Sequence, residues 1–117
     1  LASDELVEAL RAGLEGVRAR GQADVGDKTM VDVLAPAIDA LEASVTAGAP
    51  LAAAASSAAI AAQAARDDTA SLVARKGRAS YLGERSVGHV DPGAASSALL
   101  FVALADSLVE GMATVRA

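Results

Sequence analysis

MVDVLAPAIDALEASVTAGAPLAAAASSAAIAAQAAR, residues 30–66, decides the fold. Met30, Leu34, Ile38, Leu41 and Val45 recur at intervals of three and four, which puts them on one face of a helix and not on a strand. Pro36 falls inside that pattern. The stripe keeps its phase on both sides of it, so the expectation is a kinked helix and not an ended one. Thr46, Ala47, Gly48, Ala49 and Pro50 then form a turn, with Gly48 as the C-terminal signal and Pro50 placed to start the next helix. That third helix is nearly polyalanine up to Arg66 and is expected over residues 51–75. Alanine faces bring neighbouring backbones close while each buried side chain removes little surface from water.

Working outward, Ser3 with Asp4 and Glu5 reads as an N-cap and an acidic first turn, and Leu6, Leu10, Leu14 and Val17 repeat at helical spacing. Arg18, Arg20 and Gly21 close this first helix, expected over residues 4–20. Between it and the second helix lies GQADVGDKTM, rich in turn formers, with Asp27 as the expected cap of the second helix. On the other side, Asp91 and Pro92 read as an N-cap and first helical residue of a fourth helix over residues 92–114, striped by Phe101, Leu104, Leu108, Met112 and Val115. No segment shows the alternation of a strand. The class is all-α, in one domain spanning residues 1–117.

Large apolar side chains are scarce: the chain is 53% hydrophobic, but aromatics make up only 2%. A core that thin leads us to expect these helices to complete a larger helical body. With no Cys, disulfides, thiolate metal sites and a Cys nucleophile are excluded. Net charge −5 argues against general nucleic-acid binding, and no run is long and apolar enough to span a membrane, so a cytoplasmic location is expected. The chain opens on Leu1, from which a processed or truncated product is expected.

Chemistry concentrates elsewhere. RKGRASYLGERSVGHVDPGA, residues 75–94, gathers Arg75, Lys76, Arg78 and Arg85, four of the ten cations, together with Gly77, Gly83, Gly88 and Gly93 and the only His and Tyr. Arginine forks match phosphate oxygens, and glycines let backbone N–H groups approach a ligand. The competing reading is a solvated loop whose cations pair with Glu84, Asp67 and Asp68. In the first loop, Gly26, Lys28 and Thr29 offer donors to an anion at a helix start, yet the GxxxxGK[ST] spacing of a phosphate-binding loop fails, and a simple helix cap competes. Met30 by itself reads as core. His89, the lone imidazole, is either a loop residue bonded to backbone or, with Ser86 and Asp91, the remnant of a nucleophilic arrangement. Asp27, Asp32 and Asp91 offer carboxylates to Mg2+ without forming a tight cluster.

GDKTMVDVLAPAIDAL and ARKGRASYLGERSVGHVDPGA together resemble the nucleotide-binding L subunit, or the equivalent C-terminal domain, of the dihydroxyacetone (glycerone) kinases, in order across nearly all of the chain. The resemblance implies a barrel of eight antiparallel helices that holds an adenine nucleotide at one end, of which this chain supplies about four helices, the second half. It implies nucleotide contacts at Gly21, Met30, Arg78, Asp91, Pro92 and Gly93, with Lys28, Thr29 and Gly77 as supports by motif position. The cofactor implied is ADP or ATP with Mg2+, whose carboxylate ligands, a GDGDxG-like cluster, are expected upstream of Leu1. The implied activity is transfer of phosphoryl to dihydroxyacetone held on a separate K subunit. In the phosphotransferase-system form, an M subunit carrying phosphohistidine recharges the ADP; in the ATP-dependent form the domain is fused to a K-like one. The related fatty-acid kinase and a non-catalytic helical interaction module are the alternatives. The 117 residues alone are expected to be inactive.

Overall fold

The computed structural model describes residues 2–76 and 78–116, the side chains of residues 78, 79 and 109–116 excepted. Four α-helices follow one another: α1 (Ser3–Gly21), α2 (Val31–Thr46), α3 (Leu51–Asp68) and α4 (Pro92–Arg116). Two 3-10 segments, Thr69–Ser71 and Arg78–Ser86, lie in the long connection before α4, and no strand occurs among the described residues. The all-α expectation stands.

Helix α1 begins one residue earlier than the Ser3 cap predicts. Leu6 N–H bonds the Ala2 carbonyl, so Ser3 is already helical, Ala2 takes the cap position and no side chain caps it. At the other end the left-handed residue is Gln22, φ 49°, and not Gly21. Arg11 joins α1 to α2 by donating to Asp39 at 2.7 Å and to Glu42 at 3.1 Å. The bond to Asp39 holds this guanidinium above its ordinary pKa against the opposing effect of burial, and Glu42 adds to it.

Helix α2 is central, packed on α1, α3 and α4. That position explains why its core set is wider than the predicted stripe. Val31, Val33, Ala35, Ala37, Ile38 and Leu41 are buried, Leu34 and Val45 lie at the margin, and Met30 is exposed at the helix start. The helix runs through Pro36 unbroken. Its end is a Schellman motif: Gly48, φ 87°, donates to the Val45 carbonyl and Ala49 to that of Ser44.

Helix α3 buries Ala54, Ala55, Ala58, Ala59 and Ala62 between α2 and α4, which meets them with Ala94, Ala98, Phe101 and Ala105. It stops at Asp68, well short of residue 75. The Thr69 hydroxyl donates to the Arg66 carbonyl at 2.6 Å, the chain tightens into the 3-10 turn, and Leu72 is extended. The body measures 51 × 25 × 20 Å, an elongated slab. Ile60, Leu99 and Leu100 stand well exposed on α3 and α4.

Candidate functional site

The ends of α1 and α3 and the starts of α2 and α4 are joined by two loops, residues 22–30 and 69–91, and these loops meet. The first is organised by Asp32, not by Asp27. Asp32 Oδ1 accepts the Gly26 N–H at 2.6 Å and Oδ2 the Thr29 N–H at 2.9 Å, while Thr29 Oγ1 accepts the Val31 N–H. Asp27 instead accepts from Asp24 N–H, so the expected cap of α2 is replaced by a carboxylate inside its own first turn. Such an anion also complements the helix dipole.

Lys28 adopts φ 63° and is 2% exposed. A left-handed backbone costs a side chain with a Cβ about 1–2 kcal/mol, and an ammonium in the interior must be hydrogen-bonded. Its Nζ donates to the Ser86 carbonyl at 2.6 Å and to the Leu72 carbonyl at 3.1 Å. Lys28 therefore points inward to the second loop: the reading of it as a donor to an anion at this helix start is corrected, and the supporting place given to it by motif position is compatible with these bonds. Thr29 is likewise spent on the start of α2.

The second loop is drawn together by short polar bonds. Ser86 Oγ accepts the Ala74 N–H and donates to the Gly83 carbonyl; Gly88 N–H bonds the Ala70 carbonyl; Arg75 N–H reaches across to the Asp27 carbonyl. Gly83 and Gly88 adopt positive φ, 54° and 93°, which glycine takes without strain. Thr69 Oγ1 accepts the Asp91 N–H, which fixes the start of α4 against the end of α3. Asp91 Oδ2 accepts the Ala94 N–H at 2.9 Å, so the predicted cap of α4 is present, and the carboxylate is buried.

Gly93 lies in the first turn of α4, without positive φ, and its missing side chain serves approach instead. A methyl there would stand 3.2 Å from Asp91 Oδ2 and 3.7 Å from both Met30 N and Met30 Cβ. Met30, Asp91 and Gly93, distant in sequence, thus converge with Pro92 between the last two. Gly21 is at the end of α1, and a methyl on it would meet only Ala23 Cβ, at 3.8 Å; nothing brings it to the other three. Arg78 opens the second 3-10 segment, and its side chain, like the whole of Gly77, lies outside the described residues.

Arg75, Lys76 and Arg85 are exposed and form no ion pair among the described residues. Among the described residues these three cations do not make the pairs with Asp67, Asp68 or Glu84 that the solvated-loop reading requires; Asp67 pairs with Arg66. Exposed His89 lines a cavity of about 170 Å3 with Lys28, Leu82, Val90, Asp91 and Pro92. Ser86 and Asp91 are both committed to backbone partners, which removes the nucleophilic arrangement around His89. A larger cavity, about 560 Å3, opens between Val25, Asp32, Pro36, Ala61, Ala65 and Leu72, and none of the six predicted contacts lines it. Among the described residues no group of three or more His, Asp or Glu could hold a metal ion, and Asp27, Asp32 and Asp91 are occupied by N–H groups.

The structure brings together Met30 and Asp91, both named from the sequence, and fastens their loops with residues that sequence reasoning did not name for that role. Thr69 and Ser86 are buried hydroxyls within otherwise unremarkable loop sequence, and no spacing announces them.

Residues 1–106 match the DAK2 domain, and the chain belongs to that family. It is 45% identical over 102 residues to the PEP-dependent dihydroxyacetone kinase 1, ADP-binding subunit DhaL, of Listeria innocua, covering 87% of this chain and 46% of the relative. It is also 45% identical over 105 residues to the PEP-dependent dihydroxyacetone kinase ADP-binding subunit DhaL of Escherichia coli, covering 90% and 50%. An L-erythrulose 1-kinase of Mycolicibacterium smegmatis is 48% identical over 103 residues, 87% of this chain and 18% of that protein. The chain spans about half the length of the ADP-binding subunits it matches.

Proposed function

We propose that this member of the DAK2 domain family carries part of the adenine-nucleotide site of a dihydroxyacetone kinase, in its ADP-binding subunit. The observation that carries the reading is the convergence of Met30 with Asp91 and Gly93. A soft thioether side chain, 37% exposed, stands beside a capped helix N-terminus, and glycine lets the two approach closely. Adenine suits the first, and the backbone groups of the second suit the polar atoms of the nucleoside, the phosphate charge being left to Arg78. Arg78, from the adjoining loop, is assigned to the phosphates; Pro92 fixes the turn, and Gly21 is assigned to the base or ribose side. The names of the two bacterial ADP-binding subunits support ADP as the ligand.

When phosphorylated, the bound nucleotide supplies the phosphoryl group; this chain's residues bind and orient it. Phosphoryl then passes to dihydroxyacetone on a K-type partner subunit, and a phosphohistidine-bearing M-type subunit restores the nucleotide, a phosphoenolpyruvate-dependent route in keeping with the relatives' names. Mg2+ belongs to the same reading, held by carboxylates outside this chain. The fold is read as the second half of an eight-helix barrel. Exposed Ile60, Leu99 and Leu100 favour further helices against α3 and α4, and the length of the relatives leaves room for them. We assign the protein to the cytoplasm; among the described residues, no helix is long and apolar enough to cross a membrane.

The test is calorimetric titration of Mg-ADP into the protein that carries this sequence, and into its Arg78→Ala variant. Charge-assisted phosphate bonds contribute roughly 1.5–3 kcal/mol each, so the variant is expected to bind at least about tenfold more weakly. Equal affinity removes Arg78 from the site; no binding by the parent protein overturns the nucleotide reading.

A further inference from the structure

We infer that Lys28 is a positioning residue, which holds the basic loop in its ligand-ready shape by clasping both of its flanks from within. The inference rests on the nucleotide reading above and adds to it the part that orders the loop. Two costs mark Lys28 as a residue kept for its side chain. Its backbone sits at φ 63°, where glycine or asparagine is the cheaper choice, and its ammonium is 2% exposed with no ion pair among the described residues. Strain of this sort persists only where the surroundings fix it.

What fixes it is a pair of backbone carbonyls. Leu72 lies before the basic stretch and Ser86 after it, and Nζ reaches both, at 3.1 and 2.6 Å. The thirteen residues between them include Arg75, Lys76, Arg78 and Arg85. That segment has one small apolar anchor near its start, buried Ala74, whereas Tyr81 is 92% exposed and Leu82 is 44% exposed. Its flanks are closed instead by the ammonium, by Ser86 Oγ on Ala74 N–H, and by Arg75 N–H on the Asp27 carbonyl. Two of those three ties begin at consecutive residues, Asp27 and Lys28, three and two positions before Met30. Lys28 thereby couples the loop that presents cations to the loop that presents Met30.

The experiment uses the protein that carries this sequence and its Lys28→Met variant, which keeps side-chain length and removes every donor. Two quantities are read: the rate of tryptic cleavage after Arg75, Lys76, Arg78 and Arg85, and the affinity for Mg-ADP. A clasp lost to a tenth of its population raises the apparent dissociation constant about tenfold, and speeds cleavage by the rise in the open fraction, about tenfold or more for a loop at least about nine-tenths closed in the parent. Cleavage at the parental rate overturns the inference. So does faster cleavage with parental ADP affinity, which makes Lys28 a structural tie only. Should Lys28→Met fail to fold, Lys28→Gly is assayed with added n-butylammonium or n-butanol. Each additive is also tested on the parent protein, because an alkylammonium competes for the trypsin pocket: slowing by the ammonium greater in Lys28→Gly than in the parent supports the clasp, and equal slowing in both proteins, or by both additives, or none, overturns it. If the parent protein does not bind ADP, the nucleotide reading has failed, and the cleavage rates alone decide whether Lys28 orders the loop.

Discussion

The helical body and the loop end of this molecule are held by different forces. Around α3 the contacts are alanine against alanine, valine, isoleucine and phenylalanine, buried and without side-chain hydrogen bonds. At the loop end, Lys28, Asp32, Thr69, Ser86 and Asp91 are buried, and each is bonded to backbone. Apolar packing is non-directional and survives small shifts, whereas a hydrogen bond weakens steeply with angle. A scaffold made by the first and a site made by the second can be perturbed separately. Global stability belongs to the helices, and ligand geometry to the polar ties.

The largest effect expected is in the body. Ile38, 1% exposed at the centre of α2, belongs to a core whose α3 members are all alanines, too small to fill its space. Ile38→Ala is expected to lower stability by about 2–5 kcal/mol in urea denaturation, with ADP affinity of the folded fraction unchanged. An affinity drop comparable to the stability loss breaks the division between the two regions.

Next comes Asp32, which sits on the boundary. Its carboxylate accepts two N–H groups, and Asp32→Ala leaves both without a partner, a loss of about 2–3 kcal/mol. The loop of residues 22–30 then loosens, so affinity for Mg-ADP is expected to fall together with the melting temperature. Asp32→Asn, which keeps an acceptor, is expected to fall in between. A variant that loses stability and keeps full affinity assigns Asp32 to the body after all.

Much of the body was legible in the sequence because helical period and turn residues are local. Ile38 and Leu41, Gly48 and the Asp91 cap follow from spacing within a few residues. What failed to read were terms set by distant partners. Helix α3 ends at Asp68 and not near residue 75 because Thr69 is bonded to Asp91, twenty-two residues away. Asp27 is no cap because Asp32 claims the neighbouring N–H groups. Lys28 points inward because Leu72 and Ser86 supply carbonyls from the other loop. The motif positions of Met30 and Gly93 were legible, but their contact was not, since it depends on how α4 returns to the start of α2.

One residue departs from the division and makes its finest test. Ser97, on α4, is 1% exposed, yet its hydroxyl finds no hydrogen-bond partner among the described residues. It belongs to the alanine-lined body, between Ala94, Ala98 and Phe101 in sequence, and not to the polar loop end. An unpaired buried hydroxyl costs folding free energy, and alanine is the better helix former. Ser97→Ala is therefore expected to raise stability by about 1 kcal/mol, read as a higher urea midpoint at constant slope, with ADP affinity unmoved. A loss of stability instead means that the hydroxyl is bonded in the native protein, and that the polar ties extend from the loop end into α4. Because the expected sign is opposite to that of every other substitution, the direction of this small shift alone tells which description of α4 holds.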